Sequence, residues 1–98
     1  MKNVPEIKSR ISEITRRFLG EMTLEAFATS LGINANRQMV WNWKEGAQAP
    51  AVFTLFRVIS SASSTPAAKA WAGECLSVFH SDGLVMETDL DKEIERRR

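Results

Sequence analysis

Trp43-Lys44-Glu45-Gly46-Ala47-Gln48-Ala49-Pro50 is the string that most limits what this chain can fold into. A large aromatic in the last turn of a helix, a Gly suited to the left-handed region and a Pro soon after it mark one helix ending and the next about to start. Apolar runs flank the string on both sides, so it reads as a fixed corner in a small helical bundle.

The remaining segments fit that reading. Val4, Ile7, Ile11, Ile14 and Phe18 recur at spacings of three and four with charged residues between them, which predicts an amphipathic helix from about Pro5 to Leu19, closed by Gly20. A second helix starts at Thr23 as N-cap, carries Glu25 in its first turn and Leu24, Phe27, Ala28 and Leu31 on its apolar side, and stops at Gly32. Either Asn34 or Asn36 can cap the third, which runs from Arg37 to Glu45 and ends at Gly46. The fourth is expected to begin at Pro50, with a stripe of Val52, Leu55, Phe56 and Ile59 reaching Ala62, and the polar Ser60-Ser61-Ala62-Ser63-Ser64 run is expected to loosen the chain.

Thr65 and Pro66 supply a cap and a first-turn Pro for a fifth helix, lined by Ala68, Trp71, Ala72, Cys75, Leu76 and Phe79. Ser81-Asp82-Gly83 then reads as a turn. Beyond it the charged remainder is expected to be a frayed tail or a short helix from Leu90 to Arg97, with Leu84-Val85-Met86 as an isolated strand-like scrap able to pair with a second copy. The expected fold is all-α: a compact bundle of about five short helices in residues 1–80 and a charged C-terminal tail in residues 81–98.

Ninety-eight residues, 44% hydrophobic and 26% charged, are enough for one domain with a modest core. Cys75 is the only cysteine, so no intramolecular disulfide is possible, and a lone Cys on an apolar helix face behaves as a small hydrophobe. With no signal peptide and no apolar run long enough to span a membrane, a cytoplasmic protein is expected. The net charge of +1 is a sum of unlike parts: residues 1–81 hold nine Lys/Arg against six Asp/Glu, and residues 82–98 hold four against six. A mildly basic body with an acidic tail permits nucleic-acid binding without demanding it.

Two short helices joined by a tight Gly-containing connection have the outline of a helix-turn-helix. Thr23-Leu24-Glu25-Ala26-Phe27-Ala28-Thr29-Ser30-Leu31-Gly32-Ile33 resembles the opening of the Cro/repressor-type helix-turn-helix family, also called xenobiotic-response-element-like, and Trp43-x-x-Gly46-x-x-x-Pro50 resembles its closing signature. The resemblance covers about residues 7–62. Gly32 and Trp43 lie further apart than is usual in that family, Lys44 stands where an acidic residue commonly follows the Trp, and Leu24 replaces a Gln that often touches a phosphate. The resemblance implies a phage-repressor type of DNA-binding domain, with the third helix in the major groove of double-stranded DNA.

The longer turn leaves two registers for the third helix. Counted from Gly32, Gln38 would be buried; counted from Trp43, Val40 would be. An unpaired buried amide costs about 1–3 kcal/mol while a buried Val stabilises by a similar amount, so the second register is expected. Arg37, Gln38, Trp41, Asn42 and Glu45 then fall on the outer side. Arg37 and Gln38 are the first candidates for base contacts, because Arg bonds bidentately to guanine and Gln to adenine. Asn42 can reach a base or a phosphate, and Asn36 and Lys44 are candidates for backbone phosphates. Trp41 can pack against the second helix, or on a thymine methyl or a sugar edge. Arg16 and Arg17 are either a solvated helix face or an approach to a phosphate strand, and His80 reads as a helix C-terminal cation.

On the fifth helix, Trp71, Leu76, Val78 and Phe79 look like more apolar surface than the flank of so small a core needs. A homodimer through Phe53, Trp71, Leu76 and Phe79 is the expectation, against the alternative that the fifth helix completes a monomer core. The sequence holds no Ser/His/Asp set, no Cys/His pair, no metal-ligand spacing and no Gly-rich phosphate loop, so neither an enzyme nor a metal or other cofactor is expected. The leading expectation is a sequence-specific DNA-binding regulator acting at an operator as a homodimer. The alternative is an antitoxin-like or anti-regulator module on the same fold, engaging a protein partner with the fifth helix or the acidic tail.

Overall fold

Apolar spacing, capping side chains and Gly stops divide the chain much as the sequence predicts. The computed structural model describes residues 4–81, which form five helices: α1 (Val4–Leu19), α2 (Leu24–Ser30), α3 (Arg37–Glu45), α4 (Val52–Ser60) and α5 (Pro66–Ser81). There is no strand among the described residues, and no helix among them is long and apolar enough to cross a membrane. The readings for the tail, including Leu84-Val85-Met86 and the helix from Leu90 to Arg97, lie outside the described residues.

The caps explain the boundaries. Thr23 is extended and its hydroxyl accepts the Ala26 N–H at 3.0 Å, while Asn36 does the same for Met39 at 3.0 Å. At the corner, Gly46 adopts φ 75°, which turns the chain so that the Ala47 and Gln48 N–H groups reach back to the Asn42 carbonyl at 2.9 and 3.3 Å. Thr65 caps α5 through Ala68 at 3.1 Å. Only α4 starts differently from expectation. Ala51 is extended and serves as N-cap without a side-chain bond, so Pro50 is buried in the corner ahead of the helix, and α4 closes at Ser60 rather than Ala62.

The core is organised around α5. Its Trp71 indole is fully buried, stacks on Trp43 of α3 with ring centroids 5.3 Å apart, and meets Phe27 of α2 edge to face at 5.5 Å. The indole Nε1–H donates to Thr15 Oγ1 of α1 at 3.0 Å, which places a buried hydroxyl at the next inward position after Ile7 and Ile11. Left unpaired, either group would cost about 1–3 kcal/mol. One side chain thus ties α5 to three other helices.

That arrangement corrects the expected dimer surface. Trp71 is 0%, Leu76 1% and Phe79 9% exposed within a single chain, and Val78 is buried with them, so these residues complete the monomer core. The apolar excess on α5 is consumed by packing against α1 and α4. Of the four residues expected at the interface, Phe53 stands exposed. Cys75 lies within the same core, and burial pushes its thiol far above the ordinary range.

The serine run between α4 and α5 also differs from expectation, because it is bolted down. Ser64 Oγ lies between the carbonyls of Leu31 at 2.6 Å and Val58 at 2.5 Å, which share its one O–H as acceptors, and Ser61 Oγ donates to the Gly32 carbonyl at 2.6 Å. The Thr65 N–H reaches the Ser30 carbonyl at 3.0 Å, and Lys69 Nζ donates to Ile59 and Ser61 carbonyls at 2.8 and 2.7 Å. The contacts gather on carbonyls at and just beyond the ends of α2 and α4, where intrahelical partners run out.

Gly32 is where this clamp closes. Its φ is +67°, and an added Cβ would lie 2.4 Å from the Ser64 nitrogen and 2.6 Å from the Ser63 carbonyl carbon, both backbone atoms. Gly32→Ala is therefore expected to destabilise the protein by about 3 kcal/mol, combining left-handed strain with a forced opening of the clamp. Gly73 sits inside α5 with open space where a Cβ would go, and Gly73→Ala is expected to stabilise by about 0.5–1 kcal/mol. Urea unfolding of both variants checks the opposite signs.

Candidate nucleic-acid interface

The inner face of α3 fixes its outer face. Val40 is fully buried and Trp43 is 4% exposed, whereas Gln38 is exposed, so the helix sits in the register counted from Trp43. Met39 is half-buried against the same core. The six residues of Leu31–Asn36 between α2 and α3 absorb the extra length, with a tight turn in which the Ala35 N–H meets the Ile33 carbonyl at 2.8 Å.

Arg37, Gln38 and Trp41 project outward from the first two turns, and Asn42 is half-buried one turn on from Gln38. Gln38 Nε2 donates to Asn42 Oδ1 at 3.2 Å, and Asn42 Nδ2 donates to Gln48 Oε1 at 3.4 Å. This chain of three amides braces Gln38 while leaving its Oε1 and a second N–H available, the acceptor and donor pair that an adenine edge requires. Gln48 was not legible as part of the site. Its position follows from the left-handed turn at Gly46, which folds the corner back over Asn42.

Trp41 is 43% exposed and forms one wall of a hollow of about 310 Å³ with Leu24, Arg37 and Gln38. The indole thus lies beside α2, and part of it faces solvent. Leu24 is the wall that sequence reasoning missed; its only signal was the departure from the resembled family at that position.

Asn36 is exposed, with Oδ1 engaged as the cap of α3, which leaves its amide N–H2 as the group open to solvent. Lys44 is placed toward α1. Its carbonyl accepts the Ser12 hydroxyl and Arg16 Nε, the latter at 3.1 Å, and its Nζ contacts Glu45 Oε2 at 2.6 Å. Arg16 completes that patch 3.6 Å from Glu45, while Arg17 pairs with Glu74 on α5 and lies over the Phe18 ring. Only the first of the two arginines is thus brought beside α3. His80 is exposed in the last turn of α5, where a cation suits the helix end.

The electrostatics of the face are balanced. Arg37 stands 3.8 Å from Glu25, with both side chains more than 60% exposed, and the Lys44 and Arg16 pairs share Glu45. The hydrogen bond from Lys44, then its charge and that of Arg16, hold the Glu45 carboxyl below the usual carboxylate range. The exposed Arg37–Glu25 pair is worth about 0–1 kcal/mol, so it holds the Arg37 guanidinium only weakly. Among the described residues no group of three His, Cys, Asp or Glu could hold a metal ion. No protein-family model, curated protein or solved structure matches the chain.

The two candidate caps of α3 are separable by experiment. Asn36→Ala is expected to cost about 1 kcal/mol, because the Met39 N–H loses its acceptor, and Asn34→Ala, at an exposed turn position, is expected to change stability by less than about 0.5 kcal/mol. Thermal unfolding followed by circular dichroism measures both.

Proposed function

We propose that this protein is a sequence-specific DNA-binding transcriptional regulator of the phage-repressor type, acting in the cytoplasm with α3 in the major groove of an operator. The carrying observation is that Arg37, Gln38, Trp41 and Asn42 share the outer face of a helix whose inner face is fixed by Val40 and Trp43. Guanidinium and amide groups at the start of such a helix match the acceptor and donor pattern of base edges. Asn36, Lys44 and Arg16 flank them as phosphate contacts, which set orientation rather than sequence.

Operator binding as a homodimer belongs to the same reading, since a two-fold pair sets its recognition helices about 34 Å apart, one turn of DNA. Its contact surface is not built from Trp71, Leu76 or Phe79, which are consumed within one chain. The carboxylates beside Arg37, Lys44 and Arg16 favour a second reading, a module of the antitoxin or anti-regulator kind that engages a protein. Stoichiometric capture of a protein partner, with no DNA retardation at low salt, would select it.

Arg37→Ala and Gln38→Ala are each expected to weaken binding to a duplex selected from a random pool by about 1–3 kcal/mol and to relax preference at one base pair. Fluorescence anisotropy over a salt series measures this. Unchanged affinity in both variants would remove the residue assignment, and no salt-dependent binding to any duplex would remove the function.

A further inference from the structure

Leu24 and Trp41 give the outer face of α3 an apolar feature that base-edge amides and phosphate cations leave unexplained. Leu24, the first residue of α2, and Trp41, in the second turn of α3, wall a hollow of about 310 Å³ whose other lining residues are Arg37 and Gln38. Leu24 is half-buried and packed against the core, so that wall is held in place. The Trp41 indole is 43% exposed, which keeps a large apolar surface in water on an otherwise polar face.

We infer that this hollow recognises the C5-methyl group of a thymine, making Trp41 and Leu24 specificity-determining residues; the inference rests on the DNA-binding reading above. Thymine is the base that presents a methyl beside an acceptor, its O4, on the major-groove edge. The hollow offers the matching pair: apolar walls for the methyl, and donors from Arg37 and Gln38 at its rim for an adjacent acceptor. Cytosine in the same place would bring no methyl to fill the space between Leu24 and the indole, and its N4 amine, a donor, would meet the donors of Arg37. A bare phosphate would satisfy Arg37 and leave both apolar walls in water. Charge is also compatible, since residues 4–81 carry eight Lys/Arg against six Asp/Glu and Arg37 is among the residues lining the hollow.

Replacing single thymines by uracil in a selected operator duplex deletes the methyl and keeps the base pair, so it isolates this contact. Anisotropy titrations of the full chain are expected to find one thymine per half-site at which uracil weakens binding about fourfold, the worth of one buried methyl. Trp41→Ala is expected to bind the thymine and uracil duplexes equally. Operator binding with no uracil-sensitive position, an operator that needs no thymine, or a uracil effect that persists in Trp41→Ala would each overturn this inference and leave the proposed function standing. No binding to any duplex would overturn both. If Trp41→Ala does not fold, Leu24→Ala, at the other apolar wall, serves the same comparison with the same expected loss of discrimination.

Discussion

The Trp71 indole is the contact on which the other helices depend. Its ring stacks on Trp43, meets Phe27 edge-on, and hands its one N–H to Thr15, so a single buried side chain fixes α3, α2 and α1 against α5. Aromatic pairs add about 0.5–1.5 kcal/mol each beyond area burial, and the hydrogen bond makes the ring's rotation as specific as its depth. Trp43 is the aromatic of the corner between α3 and α4. The corner therefore orients α3 as well as ending it, and among the described residues no buried side-chain polar atom is left unpartnered.

A second constraint acts at the far end of α2. That helix has seven residues, too few to be stable alone, and the serine clamp from the α4–α5 connection satisfies its terminal carbonyls. Trp71 grips the α2–α3 pair from below and Ser61 and Ser64 hold it from the side. What is left outward on α3 is a face of two amides, an Arg and an indole, on a helix fixed from within by buried Val40 and Trp43. A face held in this way suits the proposed role, since ordering a surface on binding would cost affinity.

Helix positions and the register of α3 were legible because they rest on local chemistry. Thr23, Asn36 and Thr65 cap as their side chains dictate, and the contest between Val40 and Gln38 for a buried place is decided by desolvation. The destination of α5 was not legible. Periodicity reveals how much apolar surface a helix has, but not whether that surface meets its own chain or another, so Trp71, Leu76 and Phe79 looked like an interface and are core. The serine run misled for a related reason: its hydroxyls find carbonyls 29 and 33 residues away, which composition cannot register. Leu24 and Gln48 joined the candidate site in the same way, one brought by α2 and the other by the Gly46 turn.

The central claim is that the outer face of α3 meets DNA while the Trp71 core holds it rigid. Titration of isotope-labelled protein with a short duplex at low salt, followed by amide and indole NMR shifts, tests both halves at once. The account predicts shifts at Leu24, at Asn36 through Asn42 and at the Trp41 indole, with the Trp71 indole unmoved. Shifts centred on α4 or α5, movement of the Trp71 indole, or no shifts at all would contradict it.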